Sequence, residues 1–178
     1  MAAHRASVRS FSTSVDIPAE RRAKINEVLN QHLADSFDLL SQVKQAHWNV
    51  KGSDFWQLHK LFDEVGERVE EWVDEFAERV TALGGYAKGT ARMAAASSTL
   101  PEFPTDITDS MDYVKAVVAR VAAFTNSARA AIDETDKLGD ANTADLFTEI
   151  SRCADKYLYF LEAHLQDDQR THGQQSTR

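Results

Sequence analysis

The stretch KQAHWNVKGSDFWQLHKLFDEVGERVEEWVDEFAE, residues 44–78, decides how the chain folds. From Phe55 onward its apolar residues recur every three or four positions, which is typical of one face of an α-helix. The same stretch carries histidines and carboxylates at helical spacing. It therefore predicts a long amphipathic helix whose polar face can hold a metal ion. The five candidate ligands are His47, His59, Asp63, Asp74 and Glu78.

Three further amphipathic helices are predicted around this one. The first begins near Asp16 and Pro18 and is broken at residues 49–53, where Gly52 lies. We expect its inward residues to be Ile25, Leu29, Leu33, Phe37, Leu40 and Val43.

The later helix boundaries follow from glycines and capping residues. The second helix starts at Ser53 or Asp54 and ends at residues 84–85, a Gly-Gly pair. A third helix starts near Asp106 or Thr108 and is stopped by Gly139. The fourth starts near residues 140–142.

A long crossover joins the second and third helices. Residues 84–105 contain two prolines and an Ala-rich piece of one or two helical turns. Fully extended they reach roughly 70 Å, enough to run back along a helix of about 45 Å. The chain is therefore predicted to be all-α, a ferritin-like four-helix bundle at residues 16–166 with tails at 1–15 and 167–178.

Composition limits the class of protein. The 178 residues, 43% hydrophobic and 27% charged, suit one globular domain. No apolar run approaches the roughly 20 residues of a membrane span. The single Cys153 excludes an internal disulfide framework and fits a reducing cytosol, so we expect a cytoplasmic protein that does not bind membranes.

Charge bears on nucleic-acid binding. The net charge of −8 opposes binding by the folded body. The acid-poor residues 1–15 carry Arg5 and Arg9, the candidate DNA contacts, but no lysine. Organelle transit peptides share this composition; we interpret the segment as a tail.

The candidate ligands form two pairs. His59 and Asp63 are four residues apart and share a helix face, as do Asp74 and Glu78. Eleven residues separate Asp63 from Asp74, so the pairs lie on nearly one face but about 16 Å apart. Metal–ligand bonds are near 2 Å, so no single ion spans both pairs.

Numerical symmetry suggests how the pairs combine. The residue numbers of His59 and Glu78 add up to 137, and so do those of Asp63 and Asp74. A two-fold axis between residues 68 and 69 would therefore bring each pair onto its counterpart in an antiparallel second copy. Gly66 lies near the crossing, where it would permit close approach. The spacing predicts a metal site between subunits, with His47 reaching in from the first helix.

The ligand set suits iron, manganese or zinc, and the lack of thiolates disfavours a closed structural zinc site. Open coordination positions would suit Fe(II) oxidation by peroxide or oxygen. The alternative interpretation is a solvated helix face with two ordinary polar histidines.

The motifs KQAHWNVKG (44–52), FWQLHKLFDE (55–64) and DEFAERVTALGG (74–85) resemble the Dps family of mini-ferritins. Weaker similarity covers FPTDITD (103–109) and the fourth helix, so the resemblance spans residues 17–166. It implies a twelve-subunit cage that oxidises Fe(II), preferably with hydrogen peroxide, at two-fold interfaces and stores ferric mineral. The resemblance also implies that one subunit contributes the ligands His47, His59 and Asp63 to a site. The neighbouring subunit then contributes Asp74 and Glu78.

The resemblance implies further roles. Trp48 adjoins the site, either packing there or donating electrons. Asp136, Asp140 and Asp145 match the region of the iron-entry pores; the alternative is helix capping and solvated acids. Iron is the expected metal, with zinc or manganese as possible substitutes. Two other functions stay open: a DNA-coating, nucleoid-associated protein whose metal is only structural, and a zinc or manganese assembly with little oxidase activity.

Other histidines have simpler interpretations. Glu162 and His164 are two residues apart and so face different ways, which argues against a metal site inside the bundle. We expect His164 to interact with carbonyls at its helix end. His32 with Asp35 could bind a further ion, but a surface pair is the favoured interpretation. Cys153 lies on an apolar stripe and is expected in the core.

Overall fold

The computed structural model describes residues 9–166, and this part of the chain contains helices and no strand. Four long helices form a bundle and a short fifth lies in the crossover: α1 (Ala19–Asn49), α2 (Phe55–Ala82), α3 (Ala91–Ser97), α4 (Ser110–Lys137) and α5 (Ala141–Ala163). α1 packs along α2, α4 packs along α5, and α3 lies on α1. The predicted all-α bundle with its long crossover is confirmed.

Helix ends follow the local rules of capping. The Asp109 carboxylate accepts a hydrogen bond from Met111 N at 2.8 Å, and Asp140 accepts one from Thr143 N at 3.1 Å, which starts α4 and α5. Gly84 and Gly139 adopt φ values of 76° and 82° directly after α2 and α4. Within residues 9–166 no helix combines the length and apolar character needed to cross a membrane.

Aromatic side chains fill the centre of the bundle. The rings of Trp72 and Phe124 stack at 5.6 Å, and Phe76 and Phe147 approach to 5.3 Å. The predicted apolar stripe of α2 is buried from Leu58 to Leu83. Because this stripe faces the core, the polar residues between its members are directed outward or toward α1.

One part of the predicted core was wrong. Phe37 and Leu40 are only partly buried, and Leu39 is fully buried in their place. α3 lies on α1, and Asp35 of α1 is buried against the residues that follow α3. The local spacing could not anticipate this contact.

The crossover is held to α1 and α4 by buried polar side chains. Asp35 accepts a hydrogen bond from Thr99 N at 2.7 Å, and Asp38 accepts one from Ser98 Oγ at 2.6 Å. Arg120, 8% exposed, donates to Gln42 Oε1 at 3.0 Å and to the carbonyl of Glu102. These contacts fix the path that brings the chain from the end of α2 to the start of α4.

The N-terminal segment lies against the far end of α2. Phe11 N donates to Gly84 O at 2.8 Å, and Thr13 Oγ1 donates to Ala82 O at 3.3 Å. A Cβ at Gly84 would collide with the carbonyl oxygen of Phe11, so glycine is required there. Residues 9–15, assigned to the tail by the sequence, therefore contact the bundle.

Candidate metal centre

His47 and His59 hold each other in place at the junction of α1 and α2. His47 Nδ1 donates to the carbonyl oxygen of His59 at 2.8 Å, and His59 Nδ1 donates to that of His47 at 2.9 Å. Their rings stack with centroids 3.7 Å apart and an angle of 21°. A carbonyl only accepts, so both Nδ1 atoms carry the proton. In the neutral rings each Nε2 keeps its lone pair, as metal ligation requires.

Local sequence explains this pairing. α1 ends at Asn49, α2 begins at Phe55, and Gly52 adopts a φ of 112° in the turn between them. The tight reversal places the last turn of α1 beside the first turn of α2. His47 and His59 then face each other, and each side chain reaches the backbone of the other helix.

Asp63 lies one turn after His59 and is paired with Lys44. Lys44 Nζ donates to Asp63 Oδ1 at 2.7 Å, and His47 Nδ1 is 3.9 Å from the same oxygen. The hydrogen bond from Lys44 lowers the pKa of Asp63, with a smaller contribution from the nearby imidazole. Asp63 is therefore held as a carboxylate beside the histidines.

Lys44 also explains Gly66. A Cβ at Gly66 would lie 3.2 Å from Lys44 Cε, so the missing side chain makes room for this lysine within one chain. Close approach of a second copy at Gly66 stays a prediction.

The carboxylates near the other end of α2 have a different setting. Asp74 and Glu78 are exposed. Glu75 between them is partly buried, and burial together with the charge of Glu149 raises its pKa. Among residues 9–166, no group of three or more His, Cys, Asp or Glu side chains can hold a metal ion. One chain places Asp63 next to the stacked His47 and His59, but these three do not by themselves form a group that could hold a metal ion. Asp74 and Glu78 lie about 16 Å further along α2, and the pairing of the two sets across an interface stays a prediction.

Trp48 does not pack within its own chain. Its side chain is 65% exposed, as is that of Trp56 in the first turn of α2. The packing role predicted for Trp48 therefore has no support inside the subunit. In the chain, Trp48 directly follows His47, and Trp56 precedes His59 by three residues.

Of the three acids predicted at a pore, Asp140 has a structural role instead. It is 2% exposed and accepts two hydrogen bonds from Arg79 Nη2, at 2.8 and 2.9 Å, and one from the Thr143 hydroxyl. Burial raises its pKa, but the hydrogen bonds from Thr143 and Arg79 outweigh burial and lower it overall. The capping alternative thus describes Asp140, whereas Asp136 and Asp145 are exposed.

Arg79 was missed by the sequence reasoning. It joins the last turn of α2 to the start of α5 by bonding both Asp140 and Thr143 Oγ1, the latter at 2.8 Å. Its position one residue after Glu78 was the only available signal, because its partners lie 61 and 64 residues away.

The predicted surface pair of His32 and Asp35 was wrong. Both are buried: His32 donates to Val28 O at 2.9 Å and contacts the ring of Phe147, while Asp35 binds the crossover. Burial lowers the pKa of His32, which keeps it neutral.

Two other minor predictions can be compared with the structure. His164 donates to Phe160 O at 2.8 Å, which confirms its contact with the carbonyls of its helix end. Cys153 is partly buried against the core, and burial raises the pKa of its thiol.

Of the two candidate DNA contacts, Arg5 and Arg9, only Arg9 lies within the described residues. Arg9 lies over the ring of Phe11, with its guanidinium carbon 5.1 Å from the ring centroid. Arg5 lies outside the described residues.

Comparison with known proteins identifies the family and the fold. The ferritin-like domain family matches residues 26–171. The "DNA protection during starvation protein" of Agrobacterium fabrum is 39% identical over 160 residues, covering 90% of this chain and 99% of that protein. The chain belongs to the Dps family. Its ferritin-like fold is thereby established as well.

Solved Dps structures share the fold closely. DpsA14 from Streptomyces coelicolor matches with a TM-score of 0.84 and 29% identity, over 90% of this chain and 95% of that one. Dps from Microbacterium arborescens "in the high iron form" matches with a TM-score of 0.76 and 32% identity, over 86% and 98% of the two chains.

Proposed function

We propose that this Dps protein is a ferroxidase that oxidises Fe(II) at sites shared between two subunits and stores the ferric product as a mineral. The observation that carries the proposal is the reciprocal clamp of His47 and His59. It fixes two imidazoles in the metal-binding tautomer before any ion arrives. A buried pair of histidines with a purely structural role would not need to keep both Nε2 atoms available.

The remaining ligands fit the same chemistry. Asp63 is held ionised next to the imidazoles, and exposed Asp74 and Glu78 are the carboxylates that a second copy would contribute. Nitrogen and oxygen donors without thiolates suit Fe(II), with Zn(II) or Mn(II) as substitutes. We infer a two-fold axis near residues 68 and 69 that creates two equivalent sites.

The substrate is Fe(II), and the residues bind and orient it. With hydrogen peroxide, two Fe(II) ions each lose one electron, the O–O bond breaks and two hydroxides form. We propose peroxide as the preferred oxidant over oxygen, in keeping with the Dps resemblance. Because the peroxide accepts two electrons together, one from each Fe(II), no hydroxyl radical is released and nearby DNA is protected. Exposed Trp48, beside the histidines, is a candidate electron donor to the site.

The proposed assembly is a homo-dodecameric cage in the cytoplasm. Exposed Asp136 and Asp145 near the α4–α5 junction are the remaining candidates for an acidic iron-entry pore. High-iron Dps from Microbacterium arborescens supports iron as the cargo, since the fold is shared over 86% of this chain.

Direct DNA coating, with metal only for assembly, is the weaker alternative. Residues 9–17 lie against the bundle, Arg9 is stacked on Phe11, and the chain carries a net charge of −8. The net negative charge opposes phosphate binding, and Arg9 is held at the surface of the bundle rather than on a free tail. In a gel-shift assay at physiological salt we expect no retardation of duplex DNA; retardation that is lost on deletion of residues 1–15 would favour the coating function.

The ferroxidase proposal is tested by loading the assembled protein with Fe(II) without oxygen and then adding peroxide. We expect fast ferric absorbance in the wild type and a rate near that of free iron in the double variant His59→Ala/Asp74→Ala. Asp133→Ala, which removes an exposed acid of α4, is the control and should retain the rate. Unchanged oxidation in the double variant would refute the assigned site.

A further inference from the structure

A serine and a histidine meet in the groove between α1 and α4. The groove has a volume of about 950 Å³, and His32 of α1 and Ser127 of α4 both line it. Ser127 Oγ and His32 Nε2 are 3.1 Å apart, within hydrogen-bond distance. From His32 to His47 the helix rises about 22 Å, so the groove is separate from the candidate metal ligands. A hydroxyl and an imidazole therefore lie together where a small molecule can enter.

The hydrogen bonds of His32 determine which of its nitrogens faces the serine as an acceptor. His32 Nδ1 lies 2.9 Å from the backbone carbonyl oxygen of Val28 and must donate to it, because a carbonyl only accepts. Burial lowers the pKa of His32 and keeps the ring neutral. Nε2 therefore carries the lone pair and accepts the hydrogen bond from the Ser127 hydroxyl. A serine that donates to a neutral imidazole is the pairing of a nucleophile with its general base.

The hydroxyl of Ser127 differs from most others in the four long helices. Most serine and threonine hydroxyls there donate to a carbonyl three or four residues earlier in the same helix, as in Ser36, Thr125, Thr135, Thr148 and Ser151. Ser127 Oγ instead makes its hydrogen bond across the groove to α1. The serine is thus directed toward the imidazole rather than along its own helix.

Charged groups around the pair suit an acyl transfer. The charges of Asp35 and Glu134 favour the protonated form of His32, which is the form that a general base takes when it accepts the serine proton. Lys24 and Lys137 line the groove, and neither forms an ion pair with another residue in 9–166. Their ammonium groups are the candidate stabilisers of the negative charge that develops on an attacked carbonyl oxygen.

We propose that Ser127 is a nucleophile activated by His32 and that it accepts acyl groups from activated esters that enter the groove. Ser127 Oγ attacks the ester carbonyl carbon, and its proton moves to His32 Nε2. The bond between that carbon and the leaving oxygen then breaks, and the leaving group takes the proton from the imidazole. The products are an acylated serine and an alcohol or a phenol, with no net change at His32. Val28 and Leu138 on the groove wall suit an apolar acyl group.

The test is incubation of the full-length, assembled protein, freed of metal with a chelator, with p-nitrophenyl acetate. We expect release of nitrophenol, and peptide mass spectrometry should find one acetyl group on Ser127. Ser127→Ala should lose this acetyl group, and His32→Gln should slow its formation by about 100-fold, the contribution of a general base. Ser41 is the internal control: it is more exposed than Ser127 but donates to its own helix, so it should stay unmodified.

A second pair of variants keeps His32 and covers the case in which His32→Gln does not fold. Ser127→Cys and Ser41→Cys are alkylated with iodoacetamide at neutral pH. Position 127 should react faster, because a thiol paired with a histidine is more ionised. The proposal would be overturned by the absence of an acetyl group on Ser127, by equal acetylation of Ser41, or by an unchanged rate in folded His32→Gln. Alkylation of position 127 no faster than that of position 41 would overturn it as well.

Discussion

At the start of α2, His59 is hydrogen-bonded to the backbone of α1 and stacked on His47, whereas near the end of α2, Asp74 and Glu78 are exposed. Both regions carry candidate metal ligands on one helix face. The candidate ligands of the first region are held by contacts within the chain, whereas the side chains of Asp74 and Glu78 are exposed. We infer that the histidine end is ready before assembly and that the carboxylate end acquires its geometry from a partner.

The largest expected effect is on the rate of Fe(II) oxidation, and it involves one candidate ligand from each end of α2. His59→Ala and Glu78→Ala should each lower the peroxide-driven oxidation rate by roughly 100-fold or more, because each removes one ligand of the same site. Their effects on stability should differ. His59→Ala loses a hydrogen bond worth about 1 kcal/mol, while exposed Glu78→Ala should stay within about 0.5 kcal/mol.

Ferric absorbance and thermal unfolding measure these two effects. Equal destabilisation by both variants would contradict the view that His59 is held by contacts within the chain and Glu78 is not.

A second prediction concerns the support of the carboxylate end. Asp140→Asn leaves Arg79, which follows Glu78, without its buried carboxylate and should cost about 3 kcal/mol of unfolding free energy. Asp136→Asn, an exposed neighbour, is the matched control and should cost little. Chemical denaturation at pH 7 measures both values. An unaltered Asp140→Asn variant would mean that Arg79 does not anchor this end.

The pH dependence of this pair has a definite sign. The pKa of Asp140 is lower in the folded chain than in the unfolded chain. Its contribution is therefore present above the unfolded value of about 3.9 and is lost as pH falls through the folded pKa. Denaturation of the wild type and Asp140→Asn across this range should show their stabilities converging in acid.

A smaller effect is expected at Lys44, which competes with a metal ion for Asp63. Lys44→Met should tighten Zn(II) binding at neutral pH roughly two- to fivefold, the strength of a partly exposed ion pair. The pKa of Asp63 should rise once Lys44 is gone, so metal binding should fail at a higher pH on acidification.

Calorimetric titration with Zn(II) measures this change, and Lys60→Met, an exposed cation on the same turn of α2, is the control. Weaker Zn(II) binding in Lys44→Met at neutral pH would show that Lys44 supports the ion rather than competing with it.

Periodicity was enough to predict the helices. The stripe of α2 and the caps at Asp109 and Asp140 follow from spacing and residue type, because helix formation is governed by neighbours within four positions. The burial of Asp35 was not predictable, since its hydrogen-bond partner Thr99 is 64 residues away in sequence.

The candidate site was predictable only in part. Spacing identified the candidate ligands, and their division into two half-sites stays a prediction. Spacing did not reveal that each histidine donates to the backbone carbonyl of the other, nor that Lys44 forms an ion pair with Asp63. Both contacts join α1 to α2, and spacing within one helix carries no information about them. Asp140 was misassigned to a pore for the same reason: its partner Arg79 is 61 residues away in sequence.

The most direct test of a site shared between subunits is complementation. His59→Ala and Glu78→Ala chains are denatured together in equal amounts, reassembled and assayed for Fe(II) oxidation by peroxide. A mixed pair has one site lacking both ligands and one intact site, so random pairing should restore about a quarter of the wild-type activity under two-fold symmetry. Activity in the mixture no higher than in either variant alone would contradict the inter-subunit site.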